Sequence, residues 1–414
     1  MNAEIISIGD ELLIGQTINT NAAWLGEQLA MNGIKVTNAV TISDSESAIR
    51  GALDQAMSRA KLILMTGGLG PTKDDITKKV LADYFNSSMR IDEQVLNQVK
   101  TFFEKRNRPM LDVNLEQAEV PENCVVLVNR YGTAPGMWFE NEGIVLISMP
   151  GVPYEMKGIF SEEVLPRILK VFPHANLYHV TVQTQGKGES FLAEEIKDWE
   201  NELREEGFDL AYLPSPGLVK LRITSYRGEV DKERIEDFIA RLVDANPKLV
   251  FGFGEDTLPL VIGKLLNASG QTVGTVESLT VGSLAAYIGE VSGASNYLKG
   301  GLITYWEGVK KSLVAVTDVQ LENDGVVSET VARTMALNGK DRLGVDWCIS
   351  TTGFAGPTGG TEITPIGTVC IAIAGPDRVV SRTFLFGDNR QRNIQMTNLA
   401  ALNYLRCEIL GLIE

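Results

Sequence analysis

Apolar positions along this chain follow two rhythms. Short runs of strand length recur at EIISI (4–8), KVTNAVTI (35–42), LILM (62–65) and IVLISM (144–149). Between them, Trp24, Leu25, Leu29 and Ala30 are spaced for one face of a helix, as are Ile76, Val80, Leu81, Tyr84 and Phe85. Ser43 to Ser47 offer N-caps for a further helix ending near Ala60, and a last one runs to about Val171. Strand and helix alternate throughout residues 1–171, which predicts an α/β domain with a parallel, doubly wound sheet covered on both faces.

The rhythm changes over residues 172–255. HVTVQTQGKGES (179–190) alternates like a half-buried strand and ends in a Gly186-x-Gly188 turn. Phe191, Leu192, Ile196, Trp199 and Leu203 then mark an amphipathic helix. DLAYLPSPGLVKLRITSY (209–226) reads as two short strands around a Pro/Gly turn, with a helix from Lys232 to Ala245. This predicts a small α+β linker domain. The third domain, 256–414, opens on a helix capped by Asp256 or Thr257 and stopped by Gly270. The strand QTVGTV (271–276) follows, then a helix carrying Leu284, Ala285, Ile288 and Val291.

Composition narrows the function. At 414 residues the chain has room for about three domains of ~150 residues. A net charge of −15 argues against a duplex nucleic-acid partner but leaves small phosphorylated ligands open. The N-terminus lacks the basic region of a signal peptide, and no apolar run approaches the ~18 residues of a membrane span. Four cysteines without CxxC spacing fit reduced core residues of a cytoplasmic protein. The two histidines, His174 and His179, sit together at a domain boundary. Over most of the chain this excludes a Ser–His–Asp triad or a histidine-ligated zinc. A hydrolase built from these residues needs a metal, a carboxylate or a lysine as base.

Two stretches carry candidate chemistry. In LILMTGGLGPTKDDIT (62–77), Gly67, Gly68 and Gly70 leave a strand end and lead through Thr72 to Asp74 and Asp75. Bare amides at such a turn suit phosphate, and the acids suit a hard cation bridging to it. The same residues also fit a plain strand–turn–helix corner with acids at the helix start. Glu11 and Asn21 follow the first strand and could reach the same crevice. Ser278 lies between a strand end and a helix start, where the amides of 280–282 could stabilise an oxyanion; it also fits a helix N-cap. Lys310, taken alone, reads as a solvated surface residue.

GDELLIGQTINTNAAWL (9–25), TGGLGPTKDDIT (66–77), GTAPGMW (132–138) and PGVPYEM (150–156) together resemble the N-terminal domain of the CinA family. That domain is similar to molybdopterin-binding proteins, in which an acid-Val/Ile-Thr follows TGGTG; here Asp75-Ile76-Thr77 matches. From GGLITYWEGVK (300–310) through GFAGPTGG (353–360) and TPIGTVCIAIAG (364–375) to FLFGDNR (384–390), the chain resembles the family's nicotinamide-nucleotide amidohydrolase domain. There a serine in ESCTGG is nucleophile and the lysine ending TYxxxxK its base, which match Ser278 and Lys310. The sequence departs from that pattern at Leu279 and Val281, and the usual GDR reads Gly387-Asp388-Asn389.

The resemblance implies a bifunctional cytoplasmic hydrolase and a homodimer. The N-domain would cleave the pyrophosphate of ADP-ribose, using a divalent metal (Mg, Mn or Co, with K+ alongside) held by Asp74, Asp75 and Glu11. Gly67, Gly68, Gly70, Thr72 and Asn21 would bind the substrate. The C-domain would deamidate nicotinamide mononucleotide without a cofactor, with Thr280, Gly282, Tyr305, Gly356, Gly359 and Gly360 contacting it. The other implied reading is a non-catalytic pterin- or nucleotide-binding protein, or a partner in competence.

Overall fold

The computed structural model describes residues 2–72, 75–107, 109–172 and 177–413. They form two compact units, 1–177 and 178–414. In the first unit, strands β1 (Asn2–Ile8), β2 (Lys35–Ile42) and β3 (Leu62–Thr66) are parallel. A separate two-stranded ribbon pairs β4 (Met89–Ile91) with β5 (Glu119–Pro121). The main sheet continues with β6 (Val125–Leu127), β7 (Gly136–Asn141) and β8 (Ile144–Met149), in the order β2-β1-β3-β8-β7-β6.

Every residue of β3 is buried, as a central strand covered on both faces requires. Ile5, Leu64 and Ile147 face one core with the helix Thr20–Met31 and the 153–171 helical run; Ile6, Met65 and Leu146 face the other with the helix Glu46–Arg59. The sheet is mixed rather than wholly parallel. Glu142 and Gly143, both at positive φ (50° and 78°), close a two-residue hairpin that turns β7 antiparallel to β8. The second half of GTAPGMW is therefore part of a strand.

The second unit holds two sheets, each with its own core. β9 (Tyr178–Gln185), β10 (Asp209–Ser215), β11 (Leu218–Ser225) and β12 (Val250–Phe253) form an antiparallel sheet in the order β10-β11-β9-β12. Leu192, Leu203, Ile235 and Phe238 from its helices pack on Val182, Leu221 and Ile223. The other sheet has the order β14-β13-β15-β16-β17. Its members are β13 (Val273–Glu277), β14 (Leu298–Ile303), β15 (Trp347–Gly353), β16 (Thr368–Ala374) and β17 (Val379–Leu385). The first three are parallel and the last two antiparallel.

The helices Leu258–Ser269 and Arg390–Ile409 cover one face through Ile262, Leu266, Leu402 and Leu405, and the helix Glu329–Leu343 covers the other through Met335 and Ala336. A Cβ on Gly339 would run into Val276, so that helix sits unusually close to β13. Thr257 is the N-cap of Leu258–Ser269, and Gly270 ends it at φ 67°. All four cysteines are free and buried. Among the described residues no helix is long and apolar enough to cross a membrane.

Candidate active sites

Four parallel strands of the first unit end on one edge, and the chain leaving each end carries polar residues or glycine. β2 leads to Asp44, β1 to Gly9, Asp10 and Glu11, β3 to the 67–77 loop and β8 to Gly151. Open α/β sheets bind ligands beyond such an edge. The Gly67 N–H donates to the Met149 carbonyl at 3.0 Å, and a Cβ on Gly151 would stand 3.4 Å from Gly67 Cα. Asn21 Nδ2 donates to the Gly151 carbonyl at 2.8 Å. Among the described residues, Asn21 Oδ1 and Thr77 Oγ1 are buried without a hydrogen-bond partner. Buried polar atoms ordinarily have one, and a polar ligand in the glycine cradle would supply it.

The carboxylates surround this cradle. Asp75 folds over Gly70, where its Oδ2 accepts from the Thr72 N–H at 2.9 Å and from the Thr72 hydroxyl. The exposed Glu11 lays its carboxylate over Gly9. Burial pushes the Asp44 carboxyl up, the hydrogen bond from the Asp10 N–H (3.1 Å) opposes, and the charges of Asp10, Glu11 and Asp75 push it up again. Four acids thus share one electrostatic field. Oxygen donors in such a field fit a hard divalent cation beside the amides of Gly68 and Gly70, which have no acceptor among the described residues; the Gly67 amide, expected to be bare, is spent on Met149. Asp74, expected as a ligand, lies outside the described residues, and among those no three His, Cys, Asp or Glu side chains are already gathered as a ligand set.

GTAPGMW is tied to the helix that follows β8. Its Gly132 packs on Glu155, which Asn129 Nδ2 holds at 2.7 Å. A Cβ on Gly68, at φ 68°, would collide with Thr77 Oγ1. Gly68→Ala is therefore expected to destabilise the first unit by about 2 kcal/mol. Thermal unfolding checks this, and an unchanged Tm would contradict so close a contact.

In the second unit β13, β14 and β15 also end together. Ser278 follows β13, Thr304 and Tyr305 follow β14, and the 353–360 loop follows β15. Lys310 Nζ lies 2.9 Å from Ser278 Oγ, and the two residues are only 3% and 7% exposed. The lysine comes from the helix Glu307–Val314 and donates to the carbonyls of Thr304 (2.8 Å) and Tyr305 (3.4 Å). Burial pushes its ammonium down to about 8, with Glu307 acting the other way. Its neutral form is then well populated near that pH and can take the serine proton. His179 lies within β9, paired with Thr224 of β11 and outside this site, and His174 is outside the described residues.

The loop after Ser278 is held at both ends. The Ser278 N–H donates to the Thr351 carbonyl at 2.9 Å, and the hydroxyls of Thr280 and Thr351 are 2.8 Å apart. The buried Glu277 carboxylate accepts from the amides of Leu284 (3.1 Å) and Ala285 (2.8 Å) and from Thr275 Oγ1 (2.9 Å). The Val281 amide is occupied by the Ser278 carbonyl at 3.3 Å. The amides of Leu279, Thr280 and Gly282 have no acceptor among the described residues, so these are the candidate oxyanion donors. Gly282, at φ 87°, is the residue capping the helix Ser283–Gly289. Ser278 is therefore free of the capping role its position also suggested.

Comparison with known proteins places both halves. Residues 4–170 match the family described as "Probable molybdopterin binding domain", and residues 255–409 match the CinA C-terminal domain. CinA-like proteins from Cytophaga hutchinsonii and Flavobacterium psychrophilum are 41% and 42% identical over 409 and 415 residues. The alignments cover 98% of both chains in the first case and 99% of both in the second. The chain belongs to the CinA family. A crystal structure of CinA from Thermoplasma acidophilum is 33% identical, covers 41% of this chain and 98% of that one, and has a TM-score of 0.37.

As a CinA-family chain, its departures from the family motifs have local physical readings. Leu279 is buried in the core with Leu284 and Ile349 and does not line the open side of the loop. Asn389 caps the long C-terminal helix by accepting from the Arg392 N–H at 2.9 Å, and Arg390 Nη1 donates to the Gly356 carbonyl at 3.2 Å. Gly356 and Gly360 leave no room for a Cβ beside Ile366, so loop packing already requires them; Gly359 is exposed at φ 94°. Thr280 spends its hydroxyl on Thr351, leaving its amide as the group available to a ligand. Tyr305 is exposed beside the lysine its carbonyl helps hold.

Val281 is the costly departure. It is 47% exposed at φ 50°, where a β-branched residue is strained. Val281→Gly should stabilise the second unit by about 1 kcal/mol after the entropic cost of glycine. A shift of the urea midpoint to higher concentration checks it, and an unchanged or lower midpoint would contradict the strain. Sequence reasoning missed Asp10 and Asp44 as members of the first crevice and had Thr77 only as part of the family motif. Only their positions just past strand ends or beside the glycine loop could have flagged them.

Proposed function

We propose that the chain is a bifunctional nucleotide hydrolase, with a serine–lysine amidohydrolase in its second unit and a metal-dependent pyrophosphatase in its first. The contact of 2.9 Å between a buried, unusually acidic lysine and Ser278 carries this reading. For nicotinamide mononucleotide, Lys310 takes the Ser278 proton while Oγ forms a bond to the carboxamide carbon. The carbonyl oxygen gathers negative charge against the free amides of Leu279, Thr280 and Gly282. Lys310 then gives the proton to the departing ammonia, leaving an ester on Ser278. Water, deprotonated by the same lysine, releases the acid and restores the serine.

In the first unit, Asp75 and Glu11, with Asp74, would hold a divalent metal while Gly67, Gly68 and Gly70 cradle the phosphates of ADP-ribose. A bound divalent ion would supply Lewis-acid polarisation of the phosphate and of the attacking water. Asn21 and Thr72 order the loop around the substrate. Product analysis tests both halves. Nicotinamide mononucleotide should give its acid and ammonia one for one, and ADP-ribose should give AMP and ribose phosphate in a reaction that a chelator stops. Absence of both products from folded protein would refute the reading.

A further inference from the structure

A cavity of about 1130 Å³ lies within the second unit, between the antiparallel sheet of β9–β12 and the C-terminal helix Arg390–Ile409. Neither the dyad nor the loops around it line this cavity. Its walls are firmly fixed. The β10–β11 turn at Gly217 packs against Met396 and Leu399 of the helix. Asn403 donates to Gln185 Oε1 (2.8 Å) and the Lys248 carbonyl (3.1 Å), and Arg406 to the carbonyls of Pro247 (2.9 Å) and Lys248 (3.0 Å).

The charge here runs against that of the chain. The charged lining consists of Lys187, Lys248, Arg382 and Arg392 against Glu189 and Glu195, in a protein with a net charge of −15. Lys187 is paired with Glu195, whereas Lys248, Arg382 and Arg392 form no ion pair among the described residues. Beneath the wall, Arg406 is 4% exposed and its guanidinium meets only neutral acceptors. A buried cation without a counter-charge adds positive potential that favours an anion nearby. Flat apolar surface adjoins these cations. Phe384 and Phe386 are stacked at 5.6 Å between centroids, Arg382 lies 5.3 Å over the Phe384 ring, and both rings line the cavity.

We propose that this cavity is a binding site for a small phosphorylated ligand with a planar ring, the class of a nucleoside monophosphate. Lys248, Arg382 and Arg392 take the phosphate, and the Phe384–Phe386 pair takes the ring. The site is separate from both reaction centres, so it stands whether or not either hydrolysis occurs.

Photolabelling of the full chain with 8-azido-AMP, followed by peptide mapping, tests it. Label is expected on peptides within 245–249 or 377–409, and equally in Ser278→Ala and Asp75→Ala. Lys248→Glu with Arg392→Glu should reduce that label by about tenfold or more, since each removes a charge-assisted contact. Arg392→Gln, a milder change at an exposed position, should give a smaller reduction should the double reversal unfold. Competition by AMP that inorganic phosphate does not match is the expected pattern. Label confined to 62–77, 277–310 or 353–360 would overturn the proposal. So would label indifferent to Arg392→Gln, or displacement by phosphate as effective as by AMP.

Discussion

Lys310→Met is expected to lower kcat for nicotinamide mononucleotide by about a thousandfold while leaving KM within a few-fold, because general-base catalysis by one side chain contributes on that order. Methionine fills the buried volume and removes only the amine. Lys310→Arg should fail as well, since guanidinium keeps its proton at any accessible pH. The wild-type pH profile follows from the same group. Lys310 is pushed down to about 8 by burial and must be neutral to act. So kcat/KM should rise about tenfold per pH unit below 8 and level off above it. A profile flat between pH 6 and 8, or full activity in Lys310→Met, would remove lysine from the mechanism.

Asp75→Ala should reduce metal-dependent cleavage of ADP-ribose by about a hundredfold or more, as expected when a carboxylate that holds the ion beside the phosphates is lost. The same substitution should leave ammonia release from nicotinamide mononucleotide unchanged, because Ser278 and Lys310 belong to the other compact unit. That second readout separates a lost ligand from a misfolded chain. Thr72 loses its acceptor in this variant, so Asp75→Asn is the useful companion. It keeps an oxygen for the Thr72 donors and removes the charge. Cleavage that survives both changes would place the phosphate chemistry elsewhere.

Much of this was legible in the sequence because the local rules agreed with one another. KVTNAVTI and Lys232 to Ala245 form elements with the boundaries their periodicity implied, and the unbroken apolar run LILM lies in the fully buried central strand, which extends one residue further to Thr66. The antiparallel half of the first sheet was not legible from strand–helix alternation. It depends on a two-residue turn at Glu142 and Gly143 whose conformation overrides that rhythm.

The sites divide in the same way. Strand-end glycines and serines can be read from order along the chain. The Ser278–Lys310 contact joins residues 32 positions apart, and it forms because β13 and β14 are parallel neighbours that release both segments on one edge. In isolation Lys310 looked like a surface residue; its burial comes from the carbonyls of Thr304 and Tyr305, which give its ammonium a neutral, enclosed seat. Asp44 was invisible as a site residue because the acids around it follow two other strands, β1 and β3. Leu279 looked like damage to the nucleophile motif, but it points into the core, which only the fold could show.

Ammonia release from nicotinamide mononucleotide by wild type and by Ser278→Ala tests the central claim most directly. Steady release by the wild type, with none above background in the variant, is the predicted result. No release by correctly folded wild type, or release that persists in Ser278→Ala, would contradict the serine–lysine assignment.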